Sequence, residues 1–102
     1  MKSQYAIYMD FKKAKDQADQ LDALAKSMNE IKNTELQNCI AGIGKYWTGD
    51  NADAFLAKVR TVQGKIGNTA DDLTAAASTI RQIAKQTYDA EMAAYKIAMT
   101  TL

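Results

Sequence analysis

Side chains able to react or to ligate are scarce in this sequence. Histidine is absent, which removes the commonest general base and the commonest zinc ligand. Cys39 is the single cysteine, and without a histidine it lacks a base to activate its thiol. It reads as a small buried apolar residue, in preference to an intermolecular bridge or a reactive thiol. Asp71 and Asp72 are adjacent, so on a helix they project about 100° apart and make a poor acid–base pair. No glycine-rich phosphate loop occurs. The expectation is a protein that is not an enzyme, with no catalytic residue, no metal and no cofactor. Recognition is the chemistry left. Trp47, the only tryptophan, stands two residues before Gly49 in the stretch GKYWTGDNADAF. A large aromatic beside a turn either packs on a partner subunit or is displayed for binding.

Two long apolar seams flank that turn. Steps of four and three from Phe55 pass through Val59, Val62, Ile66, Thr69, Leu73, Ala76, Ile80, Ile83, Thr87, Ala90, Ala94 and Ile97. A 3.5-residue repeat sustained over about six heptads marks helices packed side by side with a left-handed twist. The first half shows the same rhythm at Ile7, Phe11, Ala14, Ala18, Leu21, Ala25 and Met28, passes through Lys32, and resumes at Leu36, Ile40, Ile43 and Trp47. Two successive steps of four at Lys32 and Leu36 locally relax the twist, but no proline or glycine breaks the helix there.

Gly49 suits the left-handed conformation that ends a helix. Asp50 reads as the N-cap of the next helix, with Asp53 favouring its positive end. The expected fold is therefore all-α: a single domain over 1–102, with helix 1 about 4–46, a turn about 47–50 and helix 2 about 51–98, forming an antiparallel helical hairpin. Gly64 and Gly67, followed by Asn68, Thr69, Asp71 and Asp72, offer a competing break in helix 2. Because the seam keeps its phase from Ile66 to Leu73, a continuous helix is preferred, with the glycines allowing close helix approach. The seam residues expected to hold the hairpin and a dimer are Phe11, Leu21, Met28, Phe55, Val59, Val62, Ile66, Leu73 and Ile80. Tyr5, Tyr8 and Phe11 should meet Tyr88 and Tyr95 where the chain ends come together.

Hydrophobic residues make up 47 % of the chain, but many are alanine, which buries little area, so a partner subunit is expected to complete the core. The net charge is +1 and is spread evenly. Seven lysines stand against six acids in residues 1–46, and six basic residues against six acids in 47–102. That even spread favours self-pairing. No basic stripe marks a nucleic-acid binder, and neutral polar faces argue against membrane binding. No run approaches the roughly 20 apolar residues of a membrane span, and no cleavable signal peptide is visible.

A chain of about this length, with two helical halves and a central Trp47-Thr48-Gly49 followed by Phe55, resembles the WXG family of small proteins related to the early secreted antigenic target of mycobacteria. The resemblance implies a substrate of bacterial type VII secretion that pairs, as a homodimer or with a related WXG-family partner, into a four-helix bundle. Such proteins are secreted folded after synthesis in the cytoplasm, without signal-peptide cleavage. In the family, the Trp-x-Gly turn of one subunit lies near the C-terminal segment of the other, and both are read by the secretion ATPase. This makes Trp47 and Gly49 the expected export and recognition motif. The family's tail motif is a tyrosine followed four residues later by Asp or Glu. Here Tyr88 is followed by Met92 and Tyr95 by Met99, and the nearest approximation is Tyr88 with Glu91. That departure leaves a second reading open, an intracellular adaptor that delivers a larger toxin with a helical N-terminal domain to the same machine. A plain helical scaffold without any link to secretion is the remaining alternative.

Overall fold

The computed structural model describes residues 2–101; the two end residues of the expected 1–102 domain lie outside the described residues. The chain is all-α, with α1 over Gln4–Glu30, a π-helical segment over Ile31–Leu36, α2 over Gln37–Tyr46 and α3 over Asp50–Thr101. Ser3 caps α1: its Oγ accepts from the Ala6 amide at 3.1 Å and its carbonyl from the Ile7 amide at 3.0 Å. A serine there satisfies donors that the first turn leaves free. α3 runs unbroken through Gly64 and Gly67, so the competing break does not occur.

The π-helical segment falls where the seam slips. Two four-residue steps in a row would rotate an α-helix's apolar face away from its partner. A π segment holds more residues per turn and so keeps Lys32, Leu36 and Ile40 on the inner side. Lys32 and Leu36 are half-buried and Ile40 is 5 % exposed. The backbone stays in the helical region across both junctions, with φ −63° and ψ −43° at Glu30 and φ −65° and ψ −40° at Gln37.

Two compact units are present, one of Met1–Asp22 with Ala75–Leu102, the terminal unit, and one of Ala23–Thr74, the turn unit. Within the terminal unit α1 and α3 run antiparallel. Phe11 meets Tyr88 at 4.8 Å between ring centroids, and the Arg81 Nη2 donates to Asp19 Oδ1 at 2.7 Å and to Asp22 Oδ2 at 2.5 Å. Ile7, Ala18, Ala77 and Ala84 are buried here. The turn unit buries Ala25, Ile40, Ala52, Leu56 and Ala70. Gln63 Nε2 donates to the Lys32 carbonyl at 2.8 Å and to Gln37 Oε1 at 3.2 Å, tying α3 to the π-helical segment. A Cβ on Gly67 would stand 3.2 Å from Lys32 Cδ and Nζ. The bare glycine therefore leaves room for the lysine stem to lie across α3.

Three sequence expectations change. First, the inner face of α3 is turned by one residue from the predicted seam. Val59, Ile66, Leu73 and Ile80 are half-buried, but their companions on the inner side are Leu56, Gln63, Ala70, Ala77 and Ala84, while Phe55, Val62, Thr69, Ala76, Ile83, Thr87, Ala90, Ala94 and Ile97 are exposed. Small side chains at the inner positions let helices approach closely, which is why alanines sit inside and the larger column stays out. Second, Tyr5 and Tyr8 are exposed; Phe11, Tyr88 and Tyr95 are half-buried. Third, Cys39 is exposed, because it stands one residue off the inner column of Leu36, Ile40 and Ile43.

The turn also differs in detail. α2 closes with the Trp47 amide donating to the Ile43 carbonyl at 2.8 Å. Gly49 has φ +111°, but it stands two residues past the helix's last cap, and its carbonyl accepts from the Asp53 amide at 3.0 Å. Gly49 is thus the N-cap of α3, and Asp50 is its first helical residue rather than the cap. Gly49→Ala is expected to cost about 1 to 2 kcal/mol, from positive φ alone, since a Cβ there meets nothing within 4 Å. Chemical unfolding of the two proteins at one concentration measures it.

Candidate functional site

Trp47 follows α2 directly, and its extended backbone, φ −132° and ψ 121°, turns the chain out of the helix. The indole is 45 % exposed and rests on Phe55 of the first turns of α3, with ring centroids 5.8 Å apart and planes tilted by 47°. An indole covered on one side by another aromatic and open on the other presents a large apolar face at little conformational cost. Tyr46 beside it is 82 % exposed, with the Lys45 ammonium 5.4 Å above its ring. Tyr46 was not among the residues expected to contribute. Its signal was available, because position 46 lies off the Ile40–Ile43 column and any aromatic there must face outward.

The exposed column of α3 is a second feature. Phe55 and Val62 in the turn unit are 44 % and 50 % exposed, and Ile83 and Ile97 in the terminal unit are 56 % and 64 % exposed. All four stand at the same heptad position. A surface helix normally turns such residues inward. Here the inner column is already filled by Leu56, Ala70, Ala77 and Ala84. Of the residues expected to hold the hairpin and a dimer, Phe11, Leu21, Met28, Val59, Ile66, Leu73 and Ile80 are half-buried, and Phe55 and Val62 belong to this exposed column.

The candidate tail pair faces the other way. Tyr88 is half-buried against Phe11. Glu91 accepts a hydrogen bond from Lys2 Nζ at 3.0 Å on its Oε1, and its buried Oε2 has no partner among the described residues. The three-residue spacing puts both side chains on the inner face of α3. The same Lys2 ammonium lies 2.9 Å from Asp10 Oδ2. The hydrogen bonds that the Lys2 ammonium donates to Asp10 first and Glu91 second hold its pKa above the ordinary lysine value.

Comparison with known families, curated proteins and solved structures finds no match for this chain. Among the described residues no cluster of three metal-ligating side chains exists, and no helix is long and apolar enough to cross a membrane. What the arrangement offers is contact surface: in the turn unit an aromatic tip at Tyr46, Trp47 and Phe55 with Val62 exposed nearby on α3, and in the terminal unit the exposed Ile83 and Ile97.

Proposed function

We propose that this protein acts by protein–protein interaction as a secreted substrate or co-export factor of a type VII secretion system, pairing as a homodimer into a four-helix bundle. The observation that carries the reading is Trp47. It is half-exposed at a turn between helices, beside a glycine of φ +111°, which is where the resemblance to the WXG family implies a recognition motif. The exposed column of Phe55, Val62, Ile83 and Ile97 supports the pairing, since burying such residues in a second copy completes the apolar face of α3. A related WXG-family chain in place of the second copy would use the same column. The secretion ATPase is the partner proposed to read the motif. Nucleic acid, a membrane and a cofactor have no part in this reading.

One observation favours the adaptor reading. Glu91, the acid of the approximate tail signal, is already engaged by Lys2 and turned inward, so the tail presents less of an export signal of its own. On that reading the chain stays in the cell and delivers a larger toxin. Export decides between them. A tagged copy is followed in cells and culture supernatant, with and without the type VII ATPase. ATPase-dependent appearance in the supernatant supports the secreted substrate; retention while other substrates leave supports the adaptor.

A further inference from the structure

In the turn unit each of the two facing columns carries one polar residue. On the first half the column runs Ala25, Met28, Lys32, Leu36, Ile40 and Ile43, and on α3 it runs Leu56, Val59, Gln63, Ile66, Ala70 and Leu73. The two polar residues meet. Gln63 Nε2 donates to the Lys32 carbonyl at 2.8 Å and to Gln37 Oε1 at 3.2 Å. Lys32 lies inside the π-helical segment and Gln37 closes it, so both acceptors of this one amide belong to the widened turn or its end. One turn along the same face of α3, Gly67 makes room for the Lys32 stem, whose Cδ and Nζ would lie 3.2 Å from a Cβ there. Residue 32 is therefore held on α3 through both its backbone and its side chain. A polar residue in an apolar column weakens packing but fixes register when it meets its partner. π-helical turns are rare, and an unusual backbone persists where its surroundings hold it.

We propose that Gln63 is a positioning residue for the aromatic tip: its bond to the Lys32 carbonyl holds Ile31–Leu36 in the widened form and so sets the rotation at which α2 delivers Trp47. The carbonyl has a second lone pair for this donor beyond its helical bond. Returning the segment to α bonding would rotate α2 by about 100°, the turn of one residue. Cys39 and Gly42 would then take the inner places of Ile40 and Ile43, and Trp47 would leave the Phe55 ring, which stands 5.8 Å from it. Burial of Ile40, 5 % exposed, opposes that rotation as well. Loss of the Gln63 donor therefore loosens the segment and the tip locally and does not turn α2 over. This role concerns how Trp47 is presented, and it holds whichever partner reads the tip.

Gln63→Met tests this, since it keeps the length and helix preference of the side chain and removes the donor. Amide hydrogen exchange is followed by NMR on the whole chain. Exchange at residues 31–46 should rise by about fivefold or more, the size of one hydrogen bond, while residues 56–73 of α3 change by less than about twofold. The single indole N–H signal, that of Trp47, should move towards the position of a free indole as the Phe55 ring is lost. A second variant separates a positioning role from general stability. Deleting Thr34, which is exposed, takes one residue out of the segment and lets it close as α-helix with Ile40 still inward. In that shortened chain Gln63→Met should alter exchange by less than about twofold, because no widened turn is left to hold. The proposal is overturned by unchanged exchange in Gln63→Met, by a rise shared equally with residues 56–73, by the same effect in the shortened chain, or by a shortened chain that does not fold.

Discussion

Ala77→Leu is expected to destabilise the fold by about 1 to 3 kcal/mol, whereas Ala76→Leu should change it by less than about 0.5 kcal/mol. Ala77 has no exposed surface, and Ala76 next to it is exposed. A leucine at position 77 adds three carbons between helices held close by alanine, so side chains must leave their rotamers or α1 and α3 must separate within the terminal unit. At position 76 the same carbons enter water in the monomer. They also extend the exposed column of Phe55, Val62 and Ile83, so Ala76→Leu should strengthen self-association instead. Urea unfolding at one fixed concentration measures the first effect, because the stability of a self-associating protein depends on concentration; sedimentation across a dilution series measures the second. For a chain of this size each kcal/mol moves the melting temperature by roughly 4 to 8 °C. If the two leucines instead exchange their effects, α3 packs through the column containing Ala76 and not through that of Ala77.

Trp47→Ala carries the other large effect. On the proposed secretion role, ATPase-dependent export of the variant is expected to fall at least tenfold, while helix content is kept and the melting temperature drops by only about 2 to 12 °C. The indole is 45 % exposed, and it pairs with the Phe55 ring at 5.8 Å. Losing one such aromatic pair costs about 0.5 to 1.5 kcal/mol, which weakens the turn without unfolding two helices. A grossly unfolded variant would make Trp47 a core residue and remove the basis for the recognition role. Normal export of a folded variant would sink the role directly. Circular dichroism and the export assay together separate these results.

How far each feature could be read ahead of the structure depended on what kind of signal it left. The inner column of the first half was legible residue by residue as far as Ile43, whereas Trp47, the last residue predicted on it, is 45 % exposed because the helix ends at Tyr46. Ile7, Ala18, Ala25 and Ile40 are buried and Phe11, Ala14, Leu21, Met28, Leu36 and Ile43 half-buried, because their neighbours one position away are mostly polar and leave a single apolar stripe. α3 was ambiguous for the opposite reason. Phe55 and Leu56, Val62 and Gln63, Ala76 and Ala77, and Ile83 and Ala84 are adjacent, so two neighbouring columns compete, and weighting by hydrophobicity selects the larger residues. Packing selected the smaller ones. The slip at Lys32 announced an irregular helix but not its remedy, since π-helical widening and a relaxed twist both accommodate two four-residue steps. Gly49 announced a positive φ; its position as N-cap of α3 depended on where α2 stopped, and helix ends are set by backbone bonding more than by residue type.

By itself, then, the sequence determined helical content, the place of the turn and the poverty of reactive groups. Helix-forming residues without proline, a 3.5-residue repeat and the lack of histidine are local or compositional properties, and these need no partner to be read. Only the tertiary structure decided which face of α3 turns inward, which aromatics stay in water, and that Glu91 meets Lys2 across 89 positions of chain. Those outcomes follow from how closely two helices can approach. The alanines at positions 70, 77 and 84 permit that approach on one side of α3, and the bulk of Phe55, Val62 and Ile83 forbids it on the other.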